Sequence, residues 1–358
     1  MNIAFVNSAD SWGGGEKWTL RTALELSRRG HKIVLVGREG SLFADRVARS
    51  GLLNHTLPFS FDYHPATIPR LMRLFREHRT EVVVVHFNKD VRTAGVAAKL
   101  LGIPVVHRNG FPILHNNLRH WITARFIDRI LTNSERIRET YSRYGWLRRI
   151  PTDVVPNGLE VPASPGKHNP VRLGFRSKNL VAAYVGRLTT VKRVVDLLNA
   201  FAVLPETSPW RLAVLGSGSE ESTLRNRVAG DPTLSERVHF HGFVESAAEL
   251  AGCSDIVLLP SEDEGMPNAL MEAMARGVPV AASPVGDVPL LLDHGRAGFL
   301  VPLRDPGAWT SLLLELETDS KRRRATGNAG RKRILEQFTL EAMIDGVEAC
   351  LSSATHGR

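Results

Sequence analysis

Short apolar runs alternate with longer amphipathic stretches along almost the whole chain. In the first half, the runs at 3–7, 32–36, 82–85, 105–107 and 129–132 are continuous, as expected of strands buried on both faces of a parallel sheet. Between them, apolar residues recur at helical spacing over 16–29, 42–50, 69–78 and 91–100. A further strand at 153–155 runs into Pro156-Asn157-Gly158. Residues 161–179 are rich in Pro, Gly, Ser and basic side chains and read as a linker. The pattern then restarts, with strands at 180–185, 211–215, 238–240, 256–259, 278–281 and 298–300 and helices at 194–203, 220–229, 247–251, 268–276 and 306–316. Alternation of this kind predicts βαβ units on parallel sheets. Its restart predicts two doubly wound α/β domains, 1–165 and 166–338, followed by a C-terminal helix over 339–358 expected to pack back on the first domain.

Composition adds little to that architecture but narrows the partners. The 358 residues suit two domains, and 43% hydrophobic with 23% charged residues is ordinary for a globular chain. A net charge of +9 favours anionic partners: nucleic acid, anionic lipid or phosphorylated substrates. Cys253 and Cys350 lie far apart, with neither metal nor redox spacing, which argues against a disulfide framework. No basic-then-apolar leader precedes the first strand and no apolar run approaches the roughly 18 residues that span a bilayer. The expectation is a cytoplasmic protein whose membrane contact, if any, is peripheral. Residues 111–125 mix Phe111, His115, Arg119, His120, Trp121 and Arg125. They fit either a basic amphipathic face for anionic lipid or a phosphorylated glycolipid, or an ordinary surface helix. No other run joins basic residues to aromatic platforms, so no nucleic acid is expected. Lys321-Arg322-Arg323-Arg324 reads as a solvated helix face.

The chemistry concentrates in residues 261–280, SEDEGMPNALMEAMARGVPV. Glu264 falls just beyond the apolar strand 256–259, where open α/β sheets bind ligands. Pro267 suits a helix start and Gly277 its C-cap. The turns between are apolar nearly all round, so Glu272 rides on a helix predicted to be buried and needs a partner. Arg276 at i+4 offers one and a ligand would be another. Three strand-to-helix turns carry glycines: Gly13-Gly14-Gly15-Glu16, Gly186-Arg187-Leu188 leading to Lys192-Arg193, and Gly216-Ser217-Gly218. Glycine permits close backbone approach, and helix starts offer free N–H groups to anions. The first is not the dinucleotide fingerprint G-x-G-x-x-G. Arg187 and Lys192 are spaced to meet a diphosphate, or are solvated loop residues. His107 ends a strand, where it could bond a sugar hydroxyl or be satisfied by local backbone.

These residues resemble the retaining glycosyltransferases of family 4, the glycosyl transferases group 1. Their E-x7-E followed by Ala-Met-Ala-x-Gly-x-Pro-Val is matched by Glu264, Glu272, Ala273-Met274-Ala275, Gly277 and Pro279-Val280. The resemblance is densest over 180–302. It implies the GT-B fold, two Rossmann-like domains whose parallel sheets face a central cleft. It implies transfer of a hexose-type sugar, with retention, from a UDP- or GDP-linked donor to a hydroxyl of a glycan, glycolipid or lipopolysaccharide-type acceptor. It casts His107, Arg187, Lys192 and Glu264 as catalytic. Gly14, Gly15, Gly186, Gly216, Gly218, Phe243, Val244, Gly265, Met266, Pro267 and Asn268 would line the donor, with Glu272 on its ribose. Glu16, Arg108 and Asn109 would stand on the acceptor side. Thr132-Asn133-Ser134, Asn157-Gly158 and Pro284-Val285-Gly286-Asp287 match strand ends and turns of the family. One departure stands out: Arg193 occupies the place of the glycine that follows the family's lysine. Neither a metal nor a further cofactor is expected. A GT-B sugar-nucleotide 2-epimerase and a non-catalytic sugar-nucleotide or nucleic-acid binder remain the competing classes.

Overall fold

The computed structural model describes residues 1–10, 12–59, 62, 64–110 and 117–356. The chain forms two compact units, Met1–Pro156 with Glu341–Arg358, and Asn157–Leu340. The first holds strands β1 (Asn2–Asn7), β2 (Lys32–Arg38), β3 (Leu53–Leu57), β4 (Val82–Val85), β5 (Val105–Arg108), β6 (Arg129–Thr132) and β7 (Thr152–Val154). They form one parallel sheet in the order β3-β2-β1-β4-β5-β6-β7. The second holds β8 (Leu180–Val185), β9 (Trp210–Leu215), β10 (Val238–Gly242), β11 (Ile256–Leu259), β12 (Val280–Ala282) and β13 (Phe299–Leu300). Their order is β10-β9-β8-β11-β12-β13, again all parallel. Both units are thus Rossmann-like, as the alternation predicts.

The central strands are buried throughout, Val82–Val85 in the first sheet and Ile256–Leu259 in the second. That explains their unbroken apolar runs, since both faces of a parallel sheet are covered. In each sheet the chain winds outward from a first strand (β1 or β8), then returns to that strand's other side (β4 or β11). Connections diverge at this reversal, leaving room at the carboxyl edge for a ligand. The reversal fixes where each site can lie: after β1, β4 and β5 in one unit and after β8, β9 and β11 in the other.

Several local features differ from expectation. Strand β3, LNHTL, carries polar side chains and sits at the sheet edge with only Leu57 buried, so it lacks the apolar signal of its neighbours. Residues 161–179 are not a free tether but part of the second unit. Gly166 N–H donates to the Arg276 carbonyl (2.7 Å), Asn169 N–H donates to Cys253 O (2.9 Å), and the short turn Pro170–Leu173 buries Leu173. A Cβ on Gly166 would collide with the Gly252 carbonyl, so glycine there serves close approach. The basic run 321–324 opens the helix Ser320–Gln337, and only part of it is solvated. Arg323 is largely withdrawn, donating to the Leu316 carbonyl and facing Asp255 at 3.9 Å. The terminal helix Leu340–His356 is tied to the first unit, where Glu348 accepts from Arg29 and pairs with His31, both at 2.9 Å. No described helix is long and apolar enough to cross a membrane.

Candidate active site

In the second unit, the connections leaving β8, β9, β10, β11 and β12 are stitched together along one edge of the sheet. Gly186 N–H donates to Leu215 O (3.0 Å), Leu188 N–H to Ser217 O (2.9 Å) and Gly216 N–H to Gly242 O (2.8 Å). Glu262 N–H donates to Val191 O (2.8 Å) and Asp287 N–H to Gly265 O (3.2 Å). Glycine is required where these turns cross. Gly216 holds φ +144°, and a Cβ there would strike the Gly186 carbonyl, while one on Gly218 would strike Leu188 O. Gly286 (φ +56°) lies as close to the Glu264 carbonyl. The Gly242 contact also puts Phe243 beside the Gly216 turn, 78% exposed, with Val244 half-buried. Tyr184 lies beneath, its phenol pushed up by burial and then by nearby Glu264, donating to the Arg187 carbonyl at 2.8 Å. It keeps its proton and braces the turn.

On this edge Lys192 Nζ meets Glu264 Oε1 at 2.5 Å, both side chains mostly buried. Two residues 72 apart in sequence are thereby joined beyond β8 and β11, the strands flanking the reversal. Arg187 is exposed at the same turn. Arg193 takes the left-handed conformation (φ +50°), the backbone a glycine would supply without strain. Its guanidinium forms two parallel bonds with buried Asp196 (2.7 and 2.8 Å) and reaches Glu262 at 3.2 Å. The family's glycine is thus replaced by an anchored arginine and the lysine keeps its place.

Next comes the helix Asn268–Ala275, with Pro267 as its N-cap residue and no side chain capping its first amides. Gly265 precedes that start, Met266 and Pro267 are buried, Asn268 is exposed, and half-buried Glu272 stands one turn into the helix. At the far end Gly277 N–H donates to Met274 O (2.9 Å) and Val278 N–H to Ala273 O (3.1 Å). With Gly277 at φ +73°, this is a Schellman stop. Arg276 Nη1 donates to the main-chain carbonyl of Glu272 at 3.0 Å. The hydroxyls of Ser261 and Ser283, at the ends of β11 and β12, are buried without partners among the described residues.

The first unit gathers a second constellation at its own reversal. Gly14 and Gly15 form the first turn of the helix Gly14–Arg28, and Glu16 turns its carboxylate back onto the Gly13 amide at 2.8 Å. Sequence reading missed His86, which follows β4 directly, while His107 lies one residue before the end of β5; the place of His86 after four valines was the available signal. A Cβ on Gly15 would lie 2.7 Å from His86 Nε2, so the glycine makes room for the ring. Arg108 lies over Trp18 (4.8 Å) and donates to His86 Nε2 (3.3 Å). Because arginine only donates, His86 carries its proton on Nδ1, facing Thr19 Oγ1 (3.3 Å), which donates to Gly15 O (3.0 Å). Burial, then Arg108, holds His86 well below its ordinary range. Asp90 accepts from Ser8 N–H (3.2 Å) and Phe87 N–H (3.0 Å), clamping the loops after β1 and β4, and burial lifts its carboxyl to about 6.

His107 is 2% exposed and burial pulls it to about 4, so it is a neutral imidazole. Its ring bonds the His86 backbone while Nε2 has no partner among the described residues. The lone pair of Nε2 is therefore the one open for a hydroxyl. Asn109 is half-buried, its amide on Leu131 O at 2.9 Å. Phe111 and His115 lie outside the described residues. The rest of that segment includes the helix Leu118–Ala124.

Comparison with known proteins bears on the family and the fold. Residues 167–333 match Glycosyl transferases group 1, and residues 12–161 match Glycosyltransferase Family 4. The N-acetyl-alpha-D-glucosaminyl L-malate synthase of Bacillus anthracis is 31% identical over 175 residues, 49% of this chain and 46% of that protein. The UDP-Gal:alpha-D-GlcNAc-diphosphoundecaprenol alpha-1,3-galactosyltransferase of Escherichia coli is 24% identical over 297 residues, 78% of this chain and 76% of that one. Anabaena HepE, solved with UDP and with UDP-glucose, superposes with TM-scores of 0.83 and 0.80 at 18% and 19% identity, covering 99% of this chain and 100% of that one. At that identity the likeness establishes the fold, GT-B. With both units matched in turn, the chain belongs to the family 4 glycosyltransferases, the glycosyl transferases group 1.

Proposed function

We propose that the protein transfers a hexose-type sugar, with retained anomeric configuration, from a UDP-sugar to a hydroxyl of a lipid-linked glycan or lipopolysaccharide-type acceptor. The Lys192–Glu264 pair at the reversal of the second sheet carries this reading. A cation and a carboxylate held together there can separate onto the two ends of a sugar nucleotide, the lysine to diphosphate and the acid to sugar hydroxyls. The costly event is charge building on the leaving diphosphate. Arg187, Lys192 (once it has exchanged Glu264 for the donor) and the uncapped amides at Asn268 meet the diphosphate when the donor binds, so they are in place to stabilise that charge as it builds. Glu272 takes the ribose hydroxyls, since a carboxylate accepts two hydrogen bonds. His107 Nε2 accepts from a hydroxyl of the transferred sugar, and Glu16, Arg108 and Asn109 border the acceptor. The leaving phosphate itself takes the acceptor proton on the same face. The UDP complexes of HepE and the UDP-galactose donor of the E. coli relative support uridine, and the latter's diphosphoundecaprenol-linked substrate supports a lipid-linked acceptor.

A thermal-shift panel of nucleoside diphosphates and sugar nucleotides tests the reading. At 100 times Kd a ligand adds about 2.7 kcal/mol, which for units of this size raises Tm by roughly 5–10 °C. UDP and one UDP-sugar are expected to do so, and Lys192→Ala to remove the shift. No shift with any nucleotide at millimolar concentration would reject the function.

A further inference from the structure

Two loops carry the candidate donor side chains of the second unit, 186–193 and 260–265. They are joined by Lys192 Nζ to Glu264 Oε1 (2.5 Å), Glu262 N–H to Val191 O (2.8 Å) and Arg193 Nη1 to Glu262 Oε1 (3.2 Å). On the function proposed above, the first cannot persist through a catalytic cycle. Lys192 must leave Glu264 to meet the diphosphate, and Glu264 must turn to the sugar. Of these three, the backbone bond and the Arg193–Glu262 pair would then remain.

Arg193 is built for that duty at some cost. A non-glycine residue in the left-handed region is strained by its Cβ, so something must hold it there. Asp196, 2% exposed, grips the guanidinium by two parallel bonds and leaves its third nitrogen toward Glu262. Glu262 also accepts from Arg304 Nε at 2.8 Å. Arg304 is itself left-handed, at φ +59°. Two strained arginines from separate loops thus converge on one carboxylate. Arg304 first, and Arg193 after it, hold that carboxyl below the usual range.

We infer that Arg193, Glu262 and Arg304 form a clamp that keeps the two loops joined while Lys192 exchanges Glu264 for the donor's diphosphate. Arg193 is then a positioning residue for donor binding. The lysine can move because a neighbouring pair, which the ligand does not compete for, carries the mechanical load.

Calorimetric titration with UDP, and with GDP alongside, tests the clamp. Glu262→Gln removes the charge but leaves the backbone bond and the Arg193–Asp196 pair, so the fold is expected to survive with little change in Tm. Its UDP affinity is expected to fall roughly tenfold. Arg193→Gly relieves the backbone strain yet opens the clamp, and is expected to lose affinity to a similar extent. Because both act through one contact, the double variant should bind no more weakly than the weaker single. Arg304→Ala should show a smaller loss in the same direction. Wild-type affinity in both Glu262→Gln and Arg193→Gly would overturn the clamp while leaving the proposed function standing, as would losses that simply add. A loss of affinity that follows a loss of Tm in every variant would also overturn it. A wild-type protein that binds neither nucleotide would overturn both.

Discussion

At the scale of single residues, the two candidate cations are not equivalent. Lys192 is part-buried and already paired with Glu264, whereas Arg187 is exposed. Each is expected to contribute to the leaving diphosphate, and alanine at either should lower kcat by about 10²–10³ while Tm stays near wild type. With fixed cations doing this work, turnover is expected to persist in EDTA; a metal-dependent rate restored by divalent cations would reject that assignment. The buried titratable groups of the first unit make a second prediction. His107 stays neutral down to about 4 when folded but takes a proton near 6.5 when unfolded, so its stabilisation is present above pH 6.5 and is lost as pH falls toward 4. Asp90 acts oppositely: folded at about 6 and unfolded near 3.8, it stabilises at low pH and loses that contribution as pH rises through 6. The two act in opposite directions over this range. His86 and His55, both held below the ordinary histidine range chiefly by burial, add to the side of His107. Stability should fall as pH drops from 6.5 to 4.5, and His86→Asn should flatten that slope in thermal unfolding measured across the range. A slope unchanged by that substitution would reject the assignment.

At the scale of elements, the helix carrying Glu272 packs closely against the helix Ser320–Gln337. A Cβ on Gly327 would strike the Gly277 carbonyl, which belongs to the left-handed stop of the first helix. Gly330 instead faces the side chain of Met274 at 3.3 Å and the Ala297 carbonyl at 3.2 Å. Backbone cannot yield as a methionine can. Gly327→Ala is therefore expected to cost about 1–3 kcal/mol and to weaken UDP binding by shifting Glu272. Gly330→Ala should cost less on both counts, and equal losses in unfolding and titration would contradict this packing. Elements of this kind also show what the sequence could disclose. The buried central strands and the helix 268–275 were legible because continuous burial writes continuous apolar runs. Strand β3 was not, since an edge strand with one buried residue leaves no periodic trace. The packed run 161–179 looked like a linker because glycines and prolines chosen for close approach have the same composition as a tether. Glu264 and Lys192 could be named from motif spacing, but their pairing could not, as they lie 72 positions apart. The Arg193–Glu262–Arg304 contacts were hidden for the same reason, and Arg193 showed only as a departure from a pattern.

At the scale of the whole molecule, the net charge of +9 and one exposed apolar turn point to the same kind of surface. On the helix Leu118–Ala124, Leu118 is 70% exposed, Trp121 40% and Ile122 36%, while Thr123 and Ala124 face inward. The Arg125 guanidinium lies 4.2 Å over Trp121, placing a cation beside an aromatic ring suited to a headgroup layer. An acceptor anchored in a lipid would bring its enzyme to such a layer. Each basic residue near an anionic surface adds about 1 kcal/mol, and a few buried apolar side chains add comparable amounts, so binding should be reversible. The protein is expected to sediment with vesicles containing phosphatidylglycerol at low salt and to be released as salt rises, since screening at about 1 M shortens the reach of charge to roughly 3 Å. Leu118→Ser with Trp121→Ser should weaken sedimentation without lowering Tm, because both side chains are already exposed. If the double variant sediments like wild type, the attraction comes from charge elsewhere and this helix is not the contact. If wild type stays in the supernatant at low salt, the acceptor must reach the enzyme without help from the membrane surface.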